Sequence, residues 1–184
     1  MTIVKTLETL KEWVDENLCE GFEFKVPSKK DGADYEYKTI KPETFILYIP
    51  AREKTAPETD EPVKVPSVCI QVTEGSDTPQ KGVRELGIRL SLATWNPGLH
   101  KGGRNFERNS EGWRDVWNFA DKCLGVIEGA EYLNGLRVKL EDGIKYGPID
   151  EQDSAVSLYP YWFTYIAFNI EYGNKPRKSY INLL

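Results

Sequence analysis

Histidine is almost missing from these 184 residues, with His100 standing alone. A histidine triad, a two-histidine relay or a histidine-rich metal site needs more than one ring, and nothing local supplies the carboxylate that would make His100 a base. Cysteine is scarce and odd in number: Cys19, Cys69 and Cys123 are widely spaced and have no histidine nearby. That pattern argues against a disulfide framework or a zinc site and for reduced thiols. Ser110, Ser154 and Ser157 do not sit in a nucleophile elbow, and Gly75 and Gly102-Gly103 lack the Lys-Ser/Thr ending of a phosphate-binding loop. No apolar run approaches the roughly 20 residues that cross a bilayer. The start, Met1-Thr2-Ile3-Val4-Lys5-Thr6, lacks the apolar core of a signal peptide, so the expectation is a chain with no membrane partner that stays in the cytoplasm after synthesis.

What is present is a soluble, aromatic-rich chain. Apolar residues make up 40% and aromatic residues 12%, enough for a real core in one domain of ordinary size. Against 24 basic side chains stand 29 acidic ones, which disfavours a protein wrapped by duplex. Weak acidity does suit a channel through which nucleic acid slides without tight counterion-releasing contacts.

Two segments have clear helical period. Leu7, Leu10, Val14 and Leu18 predict an amphipathic helix over about Thr2 to Leu18, ended by Gly21. Trp113, Val116, Trp117, Ala120, Cys123, Leu124 and Ile127 predict a second, with Ser110 as its cap and Cys123 as a small buried hydrophobe. Strand signals surround them. The segment from Phe22 to Pro42 reads as a hairpin around Asp31-Gly32, and Thr44 to Ile49, stopped by Pro50, as a strand deep in the sheet. Arg52 to Pro66 reads as an exposed loop. Val68, Ile70 and Val72 form a strand, followed by a turn-rich Glu74 to Pro79 and by the clearest alternation of all, Leu86, Ile88, Leu90 and Leu92. Asn96 to Arg104 reads as a basic, Gly-rich connection with a mobile tip. After an Asn134-Gly135 turn, Leu136, Val138 and Leu140 alternate, and an acidic loop from Glu141 to Ser157 precedes a final aromatic strand. The expected fold is α+β: a mainly antiparallel or mixed β-sheet of about five or six strands with two main helices packed on it. Residues 1–172 form this single domain, 22–66 holding the hairpin and loop, and 173–184 a C-terminal tail.

The last strand is apolar on both faces. Trp162, Ile166, Phe168 and Ile170 alternate with Tyr161, Phe163, Tyr165 and Ala167, so cover is needed on both sides. Tyr161, Phe163 and Tyr165 are therefore candidate subunit or partner anchors, the alternative being a second helix layer of the same chain. His100, Lys101, Arg104 and Arg108 are the second candidate contact set. With Arg84 and Arg89 they make a possible basic spot beside Trp95 and Phe106, which in principle serves single strands. The carboxylates Glu141, Asp142, Asp150, Glu151 and Asp153 are dense enough to raise a magnesium-dependent nuclease, although carboxylates clustered in a loop are usually solvated.

The Gly112-Trp113-Arg114-Asp115-Val116 helix opening and the Tyr159-Pro160-Tyr161-Trp162 entry into the last strand resemble the tail terminator (tail completion) proteins of long-tailed bacteriophages and related phage-tail-like particles. The similarity covers roughly residues 66–172 and includes the order of elements: the Val68-Cys69-Ile70-Gln71-Val72 strand, an acidic turn, a long alternating strand, the helix and the aromatic strand. Phe22 to Pro66 and the stretch after Gly173 lie outside it. The resemblance implies a virion protein of the tail or neck, assembled in the host cytoplasm. It would form a ring, expected to be a hexamer, that caps the tail tube, meets the tube protein and, in some particles, a sheath, and docks to head-completion or connector proteins. Genome DNA would pass through its lumen without specific binding. It implies no catalysis, cofactor or metal. A head-completion or neck adaptor is the neighbouring alternative.

Overall fold

The computed structural model describes residues 1–27, 37–49, 64–101, 105–108, 111–149 and 159–173. Helix α1 (Ile3–Val14) starts where Thr2 accepts a hydrogen bond from the Lys5 amide, relieving one of the amides a helix start leaves unpaired. It runs on through a π-helical turn, Asp15–Cys19, and ends before Gly21, whose φ of 82° suits glycine. Its apolar stripe, Leu7, Leu10, Val14 and Leu18, is buried as the periodicity predicts.

Strands β1 (Phe24–Lys25) and β2 (Thr39–Ile40) pair antiparallel, the hairpin read from the sequence; its Asp31-Gly32 turn lies outside the described residues. β3 (Glu43–Ile46) corrects an expectation. It is an edge strand, parallel to β4 (Ser67–Thr78), and not a strand deep in the sheet. Leu47 breaks it with a φ of 70°, and Tyr48 beyond is 71% exposed. A short apolar run carries no mark that separates an edge from a centre. Arg52 to Val63, most of the expected loop, falls outside the described residues.

β4 also outruns its expected end. Glu74 to Thr78 is strand, not turn: a bulge between Val72 and Glu74 lets β4 stay paired with β5 (Val83–Trp95) to Thr78↔Val83. The turn is Pro79 to Gly82, where the Lys81 amide donates to Thr78 O at 3.0 Å. Asn96 to Arg104 likewise contains a strand, β6 (Gly98–Lys101), paired with β7 (Asn105–Arg108). Its expected mobile tip lies outside the described residues.

α2 (Trp113–Gly129) begins at Gly112, with no side-chain cap; Ser110 is outside the described residues. Val116, Ala120, Cys123, Leu124 and Ile127 are buried as expected, and Phe119, absent from that reading, is fully buried against Phe22 and Phe24. Trp113 departs from the stripe at 44% exposed. β8 (Tyr132–Leu133) and β9 (Leu136–Val138) form a hairpin on Asn134 and Gly135, both with positive φ. Leu140 then lies in a 3₁₀ turn (Leu140–Asp142), 40% exposed, and does not extend β9. In the expected acidic loop sits a further strand, β10 (Lys145–Pro148), paired with β11 (Tyr161–Gly173).

The fold class is the expected α+β. The main sheet runs β3-β4-β5-β11-β9-β8, with β10 on β11, antiparallel except at β3. α2 lies against β5 and β11, and α1 beside β3. Val68, Ile70, Ile88, Leu90, Leu92, Ile166, Phe168 and Ile170 meet the helices in one core.

All three cysteines are buried free thiols. Burial is the main cause that pushes Cys19 up to about 11 and Cys123 to about 12. Alkylation by iodoacetamide at pH 8 is therefore expected to be negligible in the folded protein and complete in denaturant, as read by intact mass. The linkage has a definite sign. Above the ordinary thiol value of 9.0 the unfolded thiol ionises while the folded one keeps its proton. Stability then falls as pH rises from about 9 towards 12, by at most about 1.4 kcal/mol per pH unit per thiol. Urea unfolding across this range, with a Cys123→Ala control, measures the slope.

Candidate subunit interface

Pairing places the three predicted anchors in one row. Tyr161 lies opposite Trp95, Phe163 opposite Ala93 and Tyr165 opposite Ser91. Residues opposite one another in a ladder share a face, so the row lies on the side away from the helices that Ile166, Phe168 and Ile170 meet. β4 extends the rows through Ser67 beside Ala93, Cys69 beside Ser91 and Gln71 beside Arg89.

This face has a small core of its own. Val65, Ala93 and Trp95 are buried, with Tyr37, Tyr161 and Phe163 packed on them half-buried. Tyr37 meets Trp95 edge to face at 5.2 Å, a favoured aromatic geometry. Burial pushes the Tyr161 phenol up. Further along, the Arg89 guanidinium stacks 4.5 Å from the centre of the Tyr165 ring. Gly147, paired with Tyr165 from β10, leaves room for the ring, which an added Cβ would meet at 3.2 Å. Ser91 donates to Gln71 Oε1 at 2.9 Å. Ser67 Oγ and Arg89 Nε are buried and make no hydrogen bond among the described residues, which is uncommon for interior polar groups. Among the described residues no helix covers this row, so the helix-layer alternative for Tyr161, Phe163 and Tyr165 has no support there.

The second candidate set lies elsewhere. His100 and Lys101 are in β6, and Arg108, exposed, is in β7 opposite Gly98; Arg104 is outside the described residues. Arg84 and Arg89 do not join them in a common basic spot. Arg84 bonds Asp77 at 2.8 Å in the far part of β5, while Arg89 stacks on Tyr165. Trp95 is buried at 4% exposure and offers no face to a base.

Asn96 ties these parts together, a role no sequence signal announced. Its amide nitrogen donates to Asp115 Oδ2 at 2.7 Å, its Oδ1 accepts from the Gly98 amide and from Lys25 Nζ, and its carbonyl accepts from Trp162 Nε1 at 3.2 Å. Burial pulls the Lys25 ammonium down, with the Asp115 carboxylate opposing. Gly112 closes the junction. A Cβ there would sit 2.2 Å from Trp162 Nε1 and 2.9 Å from Asn96 O. Both sequence motifs therefore meet at one packing point: Gly112 and Asp115 from the first, and Tyr159, which donates to Pro97 O, and Trp162 from the second.

Among the described residues no group of three or more His, Cys, Asp or Glu side chains converges as a metal site would. Glu141 is held by Arg137 at 3.0 Å. Asp142 accepts from Asn169 and Lys139, and those bonds lower its pKa in that order. Asp150, Glu151 and Asp153 lie outside the described residues. No described helix is long and apolar enough to cross a membrane.

The junction makes a sharp contrast between two glycines of α2's neighbourhood. Gly112→Ala is expected to destabilise by about 1–3 kcal/mol through overpacking. Gly125→Ala, with nothing within 4 Å of its Cβ, is expected to stabilise by roughly 0.5–1 kcal/mol. Urea melts of the two variants check both signs. Comparison with protein-family models finds no match for this chain, and comparison with curated protein sequences finds none either.

Proposed function

We propose that this protein is a structural subunit that closes into a ring, expected to be hexameric, at the top of a phage or phage-like tail. There it ends the stacking of tube subunits and presents a surface to head-completion or connector proteins. The observation that carries this reading is the Tyr161-Phe163-Tyr165 row, half-buried on the sheet face away from both helices. Aromatic side chains left partly open beside a stacked arginine are the usual material of a binding hot spot. Supporting it are Ser67 Oγ and Arg89 Nε on the same face, which make no hydrogen bond among the described residues, and the resemblance in motif and element order. The net charge of −5 fits a lumen that lets DNA pass unheld. Tube protein and, where the tail contracts, sheath are the proposed partners below, connector proteins those above, and the virion tail or neck the proposed location.

Mass photometry of the purified chain, alone and with tail tube, is expected to show rings; a 21.1 kDa species under every condition overturns the proposal. Pull-down against tube and connector proteins separately distinguishes a tail cap from a head-side adaptor. Tyr165→Asp provides the residue-level test. Arg89 beside it gives the new carboxylate a local partner, so the monomer is expected to keep its circular dichroism and lose ring mass. Burying that carboxylate under a neighbour disfavours assembly by several kcal/mol.

A further inference from the structure

Among the described residues the main sheet carries helices on one face only, that of Ile70, Leu90 and Ile166. A sheet with apolar side chains on both faces calls for a layer on each. Register adds charge to the bare face. Lys145 lies opposite Ala167, Ala167 opposite Arg89 and Arg89 opposite Gln71, one row across β10, β11, β5 and β4. Arg89 is half-buried and stacked on Tyr165, and neither it nor Lys145 makes an ion pair among the described residues. Charges withdrawn from water are ordinarily paired. A carboxylate is the group this row lacks.

The outward side of α1 has the opposite pattern. Met1 and Val4 are 44% and 66% exposed. Exposed Glu8 and Glu12 follow Val4 at steps of four, which keeps them on one side of the helix, and exposed Glu16 lies a turn further on. Glu8 is paired with Lys5 at 3.7 Å, whereas Glu12 and Glu16 make no ion pair among the described residues. The spacings agree as well. From Phe163 to the Ala167–Arg89 row is four strand residues, about 13 Å. From Val4 to Glu12 is eight helical residues, about 12 Å. A helix laid along the face with Val4 over the aromatic row therefore brings Glu12 to the cations.

We infer that helix α1 of a neighbouring copy of this chain covers the bare sheet face, with Glu12 meeting Arg89 and Lys145. The inference rests on the ring reading, for which it names the contact. A copy's own α1 is on the opposite side of its sheet, so the contact joins two unlike patches of successive copies, head to tail. α2 repeats the spacing from Trp113 to Asp121, but one side of the Trp113 ring is taken by the Arg114 guanidinium at 5.2 Å. Val4 has no such cover.

Reversing the charges tests the contact in the full-length chain. Arg89→Glu and Glu12→Arg, each placing like charges face to face, are expected to raise the concentration for half-assembly at least about tenfold, as read by sedimentation velocity. The double variant is expected to return to within about threefold of the unsubstituted chain, because the pair is restored with its sense exchanged. If Arg89→Glu loses the native circular dichroism, Lys145→Glu on exposed β10 replaces it in the same cycle. Single reversals without effect overturn the inference, as does a double variant no better than its parents. Recovery by Asp121→Arg in place of Glu12→Arg gives the seat to α2 and also overturns it. The unsubstituted chain separates the two readings. Rings with a cycle that fails sink the α1 contact alone, open oligomers with a cycle that succeeds sink the ring alone, and a 21.1 kDa species at every concentration sinks both.

Discussion

The ladder between β5 and β11 holds register from Tyr161↔Trp95 to Gly173↔Val83, and a strand's side chains alternate faces with period two. One consequence is energetic. Leu86, Ile88, Leu90 and Leu92 face the helices together with Ile166, Phe168 and Ile170, all buried, and burying each such side chain is worth about 1.5–3 kcal/mol. The other is positional. A slip by one residue would turn Tyr161, Phe163 and Tyr165 under the helices and expose the isoleucines. Register thus puts the aromatic row outside with the same force that builds the core, and β4, β9 and β10 join a frame already set.

Asn96 and Gly112 show how the frame's two ends are joined. The helix opening and the strand entry are about fifty positions apart in sequence, yet Gly112 leaves room for Trp162, and Asn96 bonds both Trp162 and Asp115. These residue strings meet as a packing solution. A likeness carried by them is a likeness of fold first, and function must be argued from surfaces.

Long periodic segments were legible because burial imposes their pattern. Both helices and the β5 and β11 strands stand where alternation or helical spacing puts them. Elements whose cause is non-local were not. β3 is an edge because it pairs with β4 alone, and it stops where Leu47 turns left-handed, neither of which an apolar count reveals. β4 runs through Glu74 to Thr78 although turn-forming residues fill it, because β5 supplies the partner and a bulge absorbs the misfit. β10 was hidden in an acidic stretch because Tyr146 and Gly147 owe their extended shape to β11. In the candidate site, the aromatic row was readable from alternation, whereas Arg89 over Tyr165 depends on pairing across strands. Trp95 illustrates the reverse error: it reads as a stacking residue beside cations, and Tyr37 and Val65 bury it.

A ring of the kind proposed places a symmetry condition on the aromatic row. A pair related by a twofold axis uses one patch twice, while a ring needs two different patches on each subunit, set apart and rigidly connected. Phe163 and Tyr172 lie near opposite ends of β11, nine residues apart in sequence, a span of about 30 Å at the rise of a strand. β11 is paired with β5 over its whole length, so little bending separates the orientation of one patch from that of the other. The row is aromatic with a cation stacked on it, whereas at the far end of the strand Tyr172 is buried and Asp77 is paired with Arg84. Surfaces so unlike at the two ends of one stiff strand suit the head-to-tail contacts that the proposed ring would need, and whether such a contact closes is set by the rotation between the two ends, not by the area of either.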